Sequence, residues 1–206
     1  MTVKRLLVRD SSGAALLELV LVLPLILGLL LLPLIEYGSV SDEKMVAQEM
    51  ASDAARSEGI LGTNAAVDLF SLKAAMAAGN SLHNSQVVAI IIYKPNASGL
   101  PQPHCFSGSP NPADKCNYYK YPNFTTYDTS DFAPQGGPCG GYVDKNLCPG
   151  DPNDRNNQYA SSAAGPDPDN IGVWVILKHK SITGLLYNNA SITAHTVVQL
   201  DPDTRV

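Results

Sequence analysis

Charge is the first thing this chain lacks. Leu19 to Ile35 holds no charged residue, and Glu18 alone interrupts the 22 residues from Ala14 to Ile35. At about 1.5 Å per helical residue, that stretch reaches roughly 33 Å, enough for a hydrocarbon core of about 30 Å. One membrane span is the expectation. Basic residues are scarce beyond it: after Glu36 there are 11 against 16 acidic ones, and none precedes Lys44. No basic patch is available for nucleic acid, so that class of partner is excluded. Residues 1–13 reverse the balance, with Lys4, Arg5 and Arg9 against Asp10. Cationic flanks stay in the cytoplasm, so the N-terminus is expected inside and the rest outside, with the lipid bilayer as the first partner.

Cysteine is absent before Cys105, and the four present, Cys105, Cys116, Cys139 and Cys148, lack the C-x2-C pairs of zinc sites. An even count in an exported segment reads as two disulfides. Three connectivities are open, and the local pairing, 105–116 with 139–148, is expected. Catalytic signatures are missing too. Ser107 in "FSGSP" is in no strand–turn–helix elbow, and G-x-S-x-G does not occur. The oxygen-rich "DPNDRNN" (151–157) and "GPDPDN" (165–170) do not fit a calcium loop and read as solvated turns. The histidines, His83, His104, His179 and His195, are scattered, although His179 and His195 fall on neighbouring expected strands and can face each other. No enzyme, cofactor or metal site is expected.

Proline is absent between Pro33 and Pro95. Nothing therefore breaks a helix beyond Pro33, and one helix is expected from about Ala14 to Ser57, with Val46, Met50 and Ala54 recurring on one face and Gly59 and Gly62 at its end. A second helix fits 65–79. Strands are expected at 86–94, 171–180 and 191–200; in the last, Ile192, Ala194, Thr196, Val198 and Leu200 share a face. Residues 95–170 hold 12 of the 15 prolines, every cysteine and six of the nine tyrosines. That density of proline and glycine argues against ladders and long helices, so the segment reads as one stapled insertion between the first and second strands. The tyrosines of "CNYYKYPNFTTY" suit an adhesive surface or packing on the sheet.

Glu18 is the anomaly in the span. A cleavable signal peptide, with "SVS" at 39–41 as its cut site, does not suit so long an apolar region with a carboxylate inside it. A plain anchor accounts for length and orientation but not for Glu18, which costs free energy in lipid. "SSGAALLELVLVLPL" places Gly13 before the apolar run and Glu18 fifth after it. This resembles the processing site of type IV prepilins and pseudopilins. In that family the cut would fall between Gly13 and Ala14, made by a membrane-embedded prepilin peptidase.

Further matches narrow the resemblance. "GAALLELVLVLPLILGLLLLPLIEYG", with Pro24 soon after the glutamate, and "AQEMASDAARSEG", with Ala51, Ala54, Ala55 and Arg56, look like TadE-like proteins of the tight-adherence, Flp-type pilus system. "VWVILKHKSITGLLYNNASITAHTVVQLDP" is similar to the family's C-terminal strands, at His179, Thr183, Gly184, Leu185 and Pro202. The resemblance spans about 1–58 and 171–202. It implies an α+β, pilin-like fold: a cytoplasmic leader (1–13), a transmembrane helix (14–37) continuing into an exposed helix, and an exocytoplasmic domain (38–206) with a small antiparallel sheet. It also implies a bacterial inner-membrane or pilus location. The implied partners are other pilins or pseudopilins, the inner-membrane assembly platform and the peptidase. The alternative is a membrane-anchored extracellular binding or adhesion module, with residues 95–170 as its working part.

Overall fold

The computed structural model describes residues 12–62, 64–83, 85–108, 112–132, 146–148, 155, 169–182, 184 and 189–201, with side chains from 16 onward. A single helix, α1 (Ser12–Leu61), carries both the apolar run and the amphipathic stretch after it. At about 1.5 Å per residue its 50 residues measure roughly 75 Å. Pro24 and Pro33 lie inside it without ending it. Gly62 does end it: at φ +54 its N–H reaches Glu58 O at 2.9 Å, a left-handed cap open chiefly to glycine. The expected end near Ser57 is therefore one turn early. Gly59 is still helical and packs against Val198 and the Gln199 carbonyl. A shorter helix, α2 (Val67–Ala78), follows.

Four strands form one antiparallel sheet in the order β2-β1-β3-β4: β1 (Ser85–Tyr93), β2 (Cys116–Lys120), β3 (Asn170–His179) and β4 (Ser191–Gln199). β1 is central, and Ala89 to Tyr93 are buried on both faces. That explains its near-continuous apolar run. β4 is an edge strand: Ile192 and Ala194 face the core while Thr193, His195 and Val197 face out. β2 was not expected. It is five residues long and lies inside the proline-rich insertion, so the insertion does contribute a ladder.

α1 and α2 cover one face of the sheet. Ala47, Met50, Ala51, Ala54 and Ala55 of α1 pack with Leu69 and Leu72 of α2 and with Ile90, Ile92, Val173 and Val175. The alanines shorten the reach between helix and sheet. The second face is covered beside β1 by a strap at 101–108, held by the Cys105–Cys116 disulfide over Ile91 and Tyr93. Tyr93 lies across Gly172, its partner in β3. The fold class is thus α+β, with a long N-terminal helix as spine.

Candidate functional site

Both ends of the apolar part of α1 carry chemistry. At its start Glu18 is exposed on an otherwise apolar helix surface, two turns into the helix. Gly13 and Ala14 lie in the helix backbone at its first residues; their surroundings fall outside the described side chains. From Leu16 to Ile35 nearly every residue is exposed, and none of the described residues of the head packs against the run. An apolar helix of this length with a bare surface is what a single-pass anchor requires.

At the other end the helix meets the head through buried ionisable groups. Glu36 and Glu43, seven residues apart, sit on one face of α1, and His179, the last residue of β3, inserts between them. His179 Nδ1 lies 2.5 Å from Glu43 Oε2, and Nε2 lies 3.2 Å from Glu36 Oε1. Ser85 Oγ donates a very short hydrogen bond to the same Glu43 oxygen. A neutral imidazole has one N–H, whereas two carboxylate partners call for two, so the site favours the imidazolium. Burial pulls the His179 pKa down. The hydrogen bonds and charges of Glu43 and Glu36 outweigh that and raise it above 6.5.

His179 and His195 do not face each other, contrary to the expectation. Along the β3–β4 ladder His195 pairs with Trp174 and stacks on it at 4.6 Å, while β3 ends at His179 on the opposite, helix-facing side.

A second buried cluster lies at the far end of the head and was missed altogether. Arg155, inside "DPNDRNN", is completely buried rather than part of a solvated turn. It donates to Glu58 Oε2 at 2.5 Å, to Asp68 Oδ1 at 2.6 Å and to the Leu147 carbonyl at 3.2 Å. Asp68 accepts further bonds from Tyr119 Oη (2.6 Å) and Asn117 Nδ2 (2.7 Å). Asn117 also exchanges two bonds with the Leu147 backbone. One cation thereby ties α1, α2, β2 and the insertion together. Burial raises the Glu58 pKa to about 7; Arg155 opposes the rise and Asp68 adds to it. Arg155 is held above its ordinary value, the two carboxylates overcoming its desolvation.

The described tyrosines of "CNYYKYPNFTTY" pack rather than stand free. Tyr119 is buried against Tyr127 and Phe132, and Tyr121 packs on Phe124. Cys148 is disulfide-bonded and buried beside Leu147; Cys139, its expected partner, lies outside the described residues, as do Thr183, Leu185 and Pro202.

These features define the class: a single-pass anchored α+β protein whose N-terminal helix is both anchor and spine. Within that class, residues 13–56 match the family model of TadE-like proteins, so the chain carries a TadE-like region. The match begins at Gly13 and ends at Arg56, entirely within α1; the C-terminal resemblance at 171–202 lies outside it. Comparisons with curated proteins and with solved structures found no match.

Proposed function

We propose that this chain is a pseudopilin-like protein acting in assembly of an adhesive, type IV-related pilus of the tight-adherence type. Its role is structural rather than catalytic. The observation that carries the reading is the TadE-like match laid along one unbroken helix, starting at Gly13 with Glu18 five residues on. In this reading a prepilin peptidase cuts between Gly13 and Ala14 at the cytoplasmic face, removing the 1–13 leader. The new amino group of Ala14 and the Glu18 carboxylate of a neighbouring subunit then pair within lipid. An unpaired charge there is costly, so pairing selects one register between subunits. The 38–206 region stands outside the inner membrane, and the assembly platform and other pilins contact the helix.

Intact mass of the protein co-expressed with an active prepilin peptidase tests this. Loss of residues 1–13 is expected. An uncut chain supports the plain anchored module instead, and loss of about 41 residues a secreted domain. Glu18→Ala should still be cut but should assemble at least tenfold less well, on the cost of a charge left unpaired in lipid. Normal assembly of that variant would remove Glu18 from the mechanism.

A further inference from the structure

The lower end of the head is a distinct surface. β3 runs down α1: its Asn170 end lies beside Gln199 of β4, which packs at Gly59, and its His179 end lies at Glu43 and Glu36. The His179 end of β3 therefore lies just beyond Ile35, where the apolar helix surface stops. Ser85, which begins β1, is the ladder partner of His179, and Lys180 to Ile182 follow directly on the end of β3.

A cavity of about 740 Å³ opens there, lined by Lys178, His179, Lys180, Ser181, Ile182, His83, Ser85, Gln86 and Asn189. That volume is in the range of small-molecule sites. The described lining is rich in hydrogen-bond donors and contains no Asp or Glu. Lys178 and Lys180 are exposed, and the nearest carboxylates of α1, Glu36 and Glu43, are already engaged by His179. Ile182, at the same rim, is 54% exposed, an apolar side chain presented beside two cations. Cations with an apolar neighbour at the edge of a bilayer match an anionic headgroup with acyl chains below it.

We infer that this cavity seats the phosphodiester headgroup of an anionic phospholipid, held by Lys178 and Lys180 with Ile182 reaching toward the acyl boundary. The inference rests on the single-pass reading given under Proposed function. Seating a lipid here fixes the height and rotation of the head on the membrane, which Glu36 and His179 alone set only along the helix.

The test uses the full chain in nanodiscs of equal parts phosphatidylcholine and phosphatidylglycerol. Native mass spectrometry counts the lipids that stay bound, and hydrogen exchange over 16–35 reports insertion. Wild type should retain phosphatidylglycerol in preference to phosphatidylcholine. Lys178→Ala/Lys180→Ala should weaken that preference about 25-fold, since each cation near a bilayer surface contributes about fivefold. Lys178→Arg/Lys180→Arg should keep it. Slow exchange over 16–35 without any phosphatidylglycerol preference overturns the lipid site and leaves the anchor standing. Fast exchange there overturns both. Inorganic phosphate displacing the retained lipid at equal concentration would assign the cavity to soluble anions and overturn the lipid reading as well.

Discussion

Arg155 is one charge against two. In a dry interior the arrangement of lowest charge is one cation, one carboxylate and one protonated acid, and Glu58, raised to about 7, is the group that takes the proton. Between pH 4.5 and 7 the folded protein holds a proton on Glu58 that the unfolded chain releases. Stability from this site therefore falls as pH rises through that window, by on the order of 3 kcal/mol. Glu58→Gln should remove this slope and be at least as stable as wild type above pH 7 in urea titrations. Arg155→Met should behave differently. It leaves two carboxylates buried without their cation and should cost about 3–5 kcal/mol in the same titrations. Equal losses for the two variants would show that the charge balance proposed for the cluster is wrong. None of this was legible in the sequence. Arg155 and Glu58 are 97 residues apart, and the polar, proline-rich surroundings of Arg155 carry the composition of a solvated turn. Burial of a loop cation leaves no periodic trace.

At the scale of elements, legibility follows periodicity. β3, β4 and the head-facing part of α1 were recognisable because each buries a face at a regular interval, and β1 because its run is apolar almost throughout; the observed limits depart from expectation by a few residues at most. β2 was not recognisable because "CNYYK" is short and polar in appearance. Its Asn117 is buried by side-chain bonds to Leu147 and Asp68, not by an apolar pattern. The pairing of β1 with β3 also depends on a residue that looks incidental. A Cβ on Gly172 would lie 2.3 Å from Tyr93 Cζ, inside any tolerable contact. Tyr93 cannot simply swing away, because its hydroxyl donates to the Gly99 carbonyl at 3.0 Å and its ring lies under the disulfide-held strap. Gly172→Ala should therefore destabilise the head by about 1–3 kcal/mol, the usual cost of overpacking. Gly99→Ala faces no neighbour within 4 Å but sits at φ +78, so its cost is confined to the turn. Thermal unfolding should rank Gly172→Ala below Gly99→Ala. The reverse order would mean that the Tyr93–Gly172 contact relaxes freely.

For the whole molecule, what matters is that membrane helix and head are one rigid piece at the bilayer edge. The helix is unbroken from Ser12 to Leu61, and Glu36 and Glu43 grip His179 across its exit. In the proposed assembly role, a subunit register set within lipid would reach the head through this one helix without a hinge. The raised pKa of His179 makes this grip sensitive to alkali. Its stabilisation is complete below the ordinary 6.5 and is lost as pH rises through the raised folded value. One alanine inserted between Tyr37 and Gly38 provides a direct test. It turns the membrane segment by about 100° against the head and lengthens the helix by roughly 1.5 Å. Glu43 keeps its place beside His179, whereas Glu36 rotates out of reach. Titration of His179 by nuclear magnetic resonance should then show its pKa falling toward 6.5, while α1 stays inserted and the sheet stays folded. Glu36→Gln should lower the pKa in the same direction without turning the helix. If pilus assembly fails for the insertion and survives in Glu36→Gln, the rotational register between anchor and head is what assembly requires. If both assemble normally, the junction serves stability alone, and the claim of a hinge-free relay from Glu18 to the head is wrong.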